Sequence, residues 1–92
     1  ADELRRMFND GDYWRRARQG EFTVKILRNL HPTSPRARVP RCTRSQMVGY
    51  YDNNGDRIAF LHQYRLPDGT LGATGVPDPK EVIIEGTIYY VD

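Results

Sequence analysis

The run Gln46–Gly75, QMVGYYDNNGDRIAFLHQYRLPDGTLGATG, constrains the fold more than any other part of the chain. Two turn signals, Asp52-Asn53-Asn54-Gly55 and Leu66-Pro67-Asp68-Gly69, bracket the stretch Arg57 to Leu66. Within it Ile58, Phe60, Tyr64 and Leu66 alternate with Arg57, Gln63 and Arg65. This period of two predicts a strand with one face toward a core. Asp first and Gly fourth favour a type I turn followed by a left-handed glycine, so the first hairpin is expected to close through a three-residue loop. That loop pairs Tyr50 with Ile58, Val48 with Phe60 and Gln46 with His62, and groups the apolar residues on one face. A one-residue slip would set Gly49 opposite Phe60, and Val48 and Tyr50 opposite Leu61 and Ala59. The second turn, with proline pre-set at its second position, pairs Leu66 with Thr70 and Tyr64 with Gly72, and sets His62 opposite Thr74. A three-stranded meander centred on Arg57–Leu66 follows.

The flanking segments extend this sheet. Asp2–Asn9 spaces Leu4, Met7 and Phe8 for one side of a short helix, and Tyr13–Gln19 forms a second, with Asp12 as N-cap and Gly20 as left-handed C-terminal residue. Trp14 is expected to anchor that helix to the sheet. Glu21–Leu30 alternates as a strand. Val76-Pro77-Asp78-Pro79-Lys80 reads as a proline-stiffened connection. Val82–Val91 is a last hairpin around Glu85-Gly86 that pairs Ile84 with Thr87 and Val82 with Tyr89. With 92 residues the chain is one domain with one modest core. Residues 1–20 are helical and 21–92 β-rich, with a basic loop at 31–45. The expected class is α+β: one or two short helices packed on a curled, mainly antiparallel sheet of five or six strands, with a small, partly open β-barrel as the alternative.

The loop HPTSPRARVPRCTRS carries Arg36, Arg38, Arg41 and Arg44 and no acid. Residues 1–46 hold eleven Lys and Arg against five Asp and Glu, whereas residues 47–92 hold three against seven. This split suits either a polyanion on a basic face or head-to-tail contact between copies. The leading expectation is therefore a small non-enzymatic binding domain. Its partner is a protein or a second copy, docked on the C-terminal hairpin, or nucleic acid held by Lys25, Arg28, Arg36, Arg38, Arg41 and Arg44. Outward members of Tyr50-Tyr51 and Tyr89-Tyr90 would stack single-stranded bases.

The alternative is a metal-free ribonuclease. His62 falls between Phe60 and Tyr64, and imidazole can take and return a proton near neutral pH. With His62 and Tyr64 as catalytic groups and arginine on the phosphate, this inventory has a fold-level analogue in small α-plus-antiparallel-sheet ribonuclease toxins. A half-buried histidine hydrogen-bonded across the sheet is the simpler reading.

Other chemistries find no support. Asp52-Asn53-Asn54-Gly55-Asp56 starts like a calcium loop, but Arg57 and Gln63 stand where its glycine and bidentate glutamate are needed. His31, Cys42 and His62 have no zinc spacing. No metal, cofactor, phosphate loop or nucleophile elbow is expected. Cys42 is the lone cysteine, so no internal disulfide can form. With no apolar leader or membrane-length run visible, the chain reads as soluble and cytoplasmic with no membrane partner, although Ala1 need not be its natural start.

Overall fold

The computed structural model describes residues 2–30, 40–72 and 75–91. Two helices, α1 (Asp2–Asp10) and α2 (Tyr13–Arg18), precede β1 (Thr23–Leu30), β2 (Arg44–Tyr51), β3 (Arg57–Arg65), β4 (Asp78–Ile84) and β5 (Thr87–Tyr90). All strand pairs are antiparallel and their spatial order is their chain order. The sheet is open, with β1 and β5 as its edges, so the expected α+β architecture holds and the barrel does not.

Leu4 and Phe8 recur four apart on α1 and are buried against Val48 and Tyr50 of β2, Ala59 and Leu61 of β3 and Val82 of β4. Met7, Tyr13, Trp14 and Ala17 complete the helical side of this single core. The aromatic rings touch in sequence: Phe8 lies 5.7 Å from Tyr13 and 6.2 Å from Tyr50, and Phe22 lies 6.0 Å from Tyr50. Trp14 is half-buried beside this core, as expected of an anchor. Gly20 takes a φ of 85°, the left-handed conformation expected after α2. Asp12 sits at the N-cap but does not cap with its side chain. Its carboxylate instead accepts from Arg15 at 2.9 Å.

The first hairpin corrects the expected register. Its turn is the three-residue loop: Asp52 N–H donates to Asp56 O at 2.9 Å, and Gly55 has a φ of 83°. Yet Tyr51 pairs with Arg57 and Tyr50 with Ala59, so Ile58 is an extra residue bulged from the ladder. This bulge turns the rest of β3 over. Val48 then faces Leu61, Gln46 faces Gln63 and Gly49 faces Phe60, while His62 lies between Met47 and Asp78. The odd residues Ala59 and Leu61 enter the core, and Phe60, His62 and Tyr64 lie on the opposite face. Packing volume explains the choice. With Phe8 and Tyr50 filling the space under the helices, small Ala59 fits opposite Tyr50 where a larger side chain would crowd the rings.

The second turn has its expected register. Leu66 N–H donates to Thr70 O at 2.8 Å, and Gly72 N–H to Tyr64 O at 2.7 Å. It yields an isolated bridge, Arg65 to Leu71, where a strand was expected; Ala73 and Thr74 lie outside the described residues. The place beside β3 belongs to β4, which begins at Asp78 inside the segment expected to be a connection. Pro79 is accommodated because Leu61 pairs with Pro79 and Phe60 with Glu81, leaving Lys80 bulged between them. The described sheet therefore has five strands. The final hairpin pairs Ile84 with Thr87 and Val82 with Tyr89, as its sequence predicts.

Candidate nucleic-acid interface

Side chains alternate across a strand, so the pairings sort the sheet into two faces. One face carries Val24, Ile26, Gln46, Val48, Tyr50, Ala59, Leu61 and Val82 and meets the helices. None of the described core residues lies on the other, although Arg5 and Asn9 of α1 reach its His62–Tyr64 end. Across it run Lys25 and Arg28 of β1, Ser45, Met47, Gly49 and Tyr51 of β2, Phe60, His62 and Tyr64 of β3, Glu81 of β4 and Tyr90 of β5. Four rings, Tyr51, Phe60, His62 and Tyr64, are half-buried there, and Tyr90 is 67% exposed.

The local geometry of these rings follows from their neighbours. A Cβ at Gly49 would meet the Tyr51 ring at 2.7 Å, so glycine is what lets that ring lie over the strand backbone. The Lys25 ammonium is 4.8 Å from the centroid of the same ring. Arg57 lies 5.4 Å over Phe60 and is held by Glu81 at 3.1 Å. His62 and Tyr64 meet edge to face at 4.7 Å.

His62 is half-buried, and its Nε2 shares a 2.8 Å hydrogen bond with Ser45 Oγ, a residue not singled out in the sequence. Burial, and then the Lys80 ammonium, push the His62 imidazole below its ordinary value, against the opposing pull of Asp78. The ring is therefore neutral at pH 7. Asp78 accepts from Arg5 Nε and from Lys80 Nζ, each at 2.9 Å. Burial alone would raise its carboxyl, but these two bonds outweigh burial and hold it below the ordinary range. His62 and Tyr64, with Arg5, Asn9 and Asp78, line a groove of about 420 Å³.

The pH dependence of stability follows. Since the folded protein holds His62 below 6.5, the unfolded chain binds more protons as pH falls through that value, and stability drops on acidification. His62→Gln should flatten the decline in unfolding free energy between pH 7 and pH 5, measured by urea denaturation at each pH. Superimposable curves for the two proteins would contradict this. Asp78 adds a second loss at lower pH, as acid protonates a carboxyl that the fold keeps ionised.

Among the cations expected to bind nucleic acid, Lys25 and Arg28 share the second face with the rings. Neither has an acidic partner among the described residues. Arg44 pairs with Arg65, one residue out of step with the ring row, and so belongs to the helix-bearing face. Arg41 is exposed beside the turn Pro40–Thr43. Arg36 and Arg38 lie outside the described residues. Of the tyrosines, Tyr50 is core, and Tyr89 pairs with Val82 on the helix side; Tyr51 and Tyr90 are the outward members.

Sequence reasoning missed Ser45, Arg5, Asp78 and Lys80 around His62. Tertiary pairing alone brings them together, although the dense Val76-Pro77-Asp78-Pro79-Lys80 run was a usable signal. No group of three or more metal-ligating side chains occurs among the described residues. No helix there is long and apolar enough to cross a membrane. What fold and face define is a two-layer α+β domain whose second sheet face carries none of the described core residues. Comparison with protein-family models, with curated proteins and with solved structures finds no significant match.

Proposed function

We propose that this domain is a non-enzymatic binding module whose ligand is single-stranded nucleic acid, held on the second face of the sheet. The observation that carries the reading is the row of half-buried rings, Tyr51, Phe60, His62 and Tyr64, on the sheet face that holds no described core residue, beside Lys25 and Arg28. Rings on a pleated face offer stacking surface to unpaired bases, while flanking cations take the phosphates. Duplex bases are already stacked on one another, so a single strand fits this row better. The basic 31–45 loop adds charge to the same half of the chain.

The test is a fluorescence-anisotropy titration with single-stranded RNA, single-stranded DNA and duplex DNA at two salt concentrations. Single strands should bind more tightly than duplex, and affinity should fall as salt rises. Lys25→Ala with Arg28→Ala should reduce the slope of log affinity against log salt by about 1.4, since each phosphate contact on a single strand contributes about 0.7. An unchanged slope would remove β1 from the interface. No binding to any strand at low salt would sink the reading.

Two further readings draw on specific features. A neutral imidazole beside Tyr64 in a groove suits the ribonuclease alternative; a gel of the titrated RNA tests it, and cleavage that survives His62→Ala would exclude His62 as the catalyst. The β5 edge exposes Ile88 and Tyr90, which suits pairing with a partner strand or a second copy, tested by sedimentation.

A further inference from the structure

The helix-bearing face holds a second recess, walled by Trp14 and Arg18 of α2, floored by Val48 and Tyr50, and closed at one side by Arg65 and Leu71; its volume is about 320 Å³. Its charge is unbalanced. Arg65 stands directly opposite Arg44 across the β2–β3 ladder, an arrangement in which like charges repel. Among the described residues neither arginine has an acidic partner. Arg18, on the same recess, stacks 4.1 Å over the Trp14 ring.

Arg65 and Arg18 line the recess, and Arg44, beside Arg65 across the ladder but outside the lining, keeps a repulsion with it that the fold could have removed with one acid. An anion bound between them would offset it, and guanidinium forks match phosphate oxygens in pairs. The floor is apolar and aromatic, Gln63 joins Trp14 and Arg18 on the lining, and the volume is at the lower end of the range of small-ligand sites. Together these features call for a ligand with a flat ring at one end and a phosphate at the other.

We infer that this recess is a nucleotide site: it takes a nucleoside monophosphate, free or at the end of a strand, with the base on the apolar floor beside the Arg18-covered Trp14 ring and the phosphate at Arg65, between Arg18 on the lining and Arg44 across the ladder. It lies on the opposite side of the sheet from the ring row, so it stands independently of the interface proposed there.

Trp14 is the sole tryptophan and reports directly on occupancy. The experiment follows its emission, excited at the red edge of indole absorption, as the whole protein is titrated with adenosine 5′-monophosphate, adenosine and inorganic phosphate at low salt. The monophosphate should give a saturable change, with adenosine and phosphate each weaker by about tenfold or more, the loss expected for one charge-assisted contact set. Arg65→Gln should weaken the monophosphate by about tenfold. Arg44→Gln should weaken it too, yet raise the denaturation midpoint of the ligand-free protein by relieving the repulsion; this readout stands even where binding is lost. The assignment is overturned by any of four results: no saturable response to the monophosphate, adenosine binding equally well, phosphate alone binding equally well, or an affinity indifferent to Arg65→Gln.

Discussion

Phe8→Ala should lower the free energy of unfolding by about 3–5 kcal/mol. Phe8 is 1% exposed, sits on the face of α1 turned to the sheet, and touches the rings of both Tyr13 and Tyr50. Its removal opens a void between helix and sheet that small neighbours such as Ala59 cannot fill. Tyr50 would suffer in turn, because the same burial pushes its hydroxyl up to about 12, a mark of how dry that layer is. A domain of this size has a total margin of about 5–15 kcal/mol, so the variant should unfold at a much lower urea concentration and lose α1 docking with it. The measurement is equilibrium urea denaturation followed by circular dichroism. A loss below about 1 kcal/mol, the ordinary effect of a point substitution, would mean that α1 is not held by this contact.

The second large effect falls on binding. Tyr51→Ala should weaken single-stranded RNA by about 5–150-fold, since stacking one base on an aromatic ring contributes about 1–3 kcal/mol. Stability should change little, because the Tyr51 ring lies outside the core. Gly49→Ala approaches the same point from beneath the ring. An added methyl meets the far end of the Tyr51 side chain at 2.7 Å, so the ring must lift away, and affinity should fall although no aromatic is lost. Anisotropy titrations of both variants, with denaturation midpoints as controls, decide the matter. Wild-type affinity in Tyr51→Ala would take the ring row out of the proposed interface.

Much of this architecture was legible because its determinants are local. The last hairpin pairs as expected because Glu85-Gly86 admits two consecutive positive φ values, 50° and 78°, and a two-residue turn leaves one register. Asp52–Gly55 likewise specifies its own loop, with the Asp52 carboxylate accepting from the amides of Asn54 and Asp56 at 2.9 and 3.0 Å. The candidate site was legible only in part. Alternation placed His62 and Tyr64 on one face, and the basic character of β1 was plain. Nothing local to those residues indicated that Ser45 would hold His62, or that Asp78 would gather Arg5 and Lys80 from α1 and β4.

What the sequence by itself determined is the two helices, the strands β1 to β3, the last hairpin and the turn types, all of which follow from backbone preferences and side-chain periods read within a few residues. What only the tertiary structure decided is which face of β3 is buried. Alternation specifies that two faces differ but not which one meets the helices, and a single bulged residue at Ile58 reverses the assignment. Ala59 and Leu61 pack with Phe8 and Tyr50 in the core, and Phe60, His62 and Tyr64 lie half-buried on the opposite side.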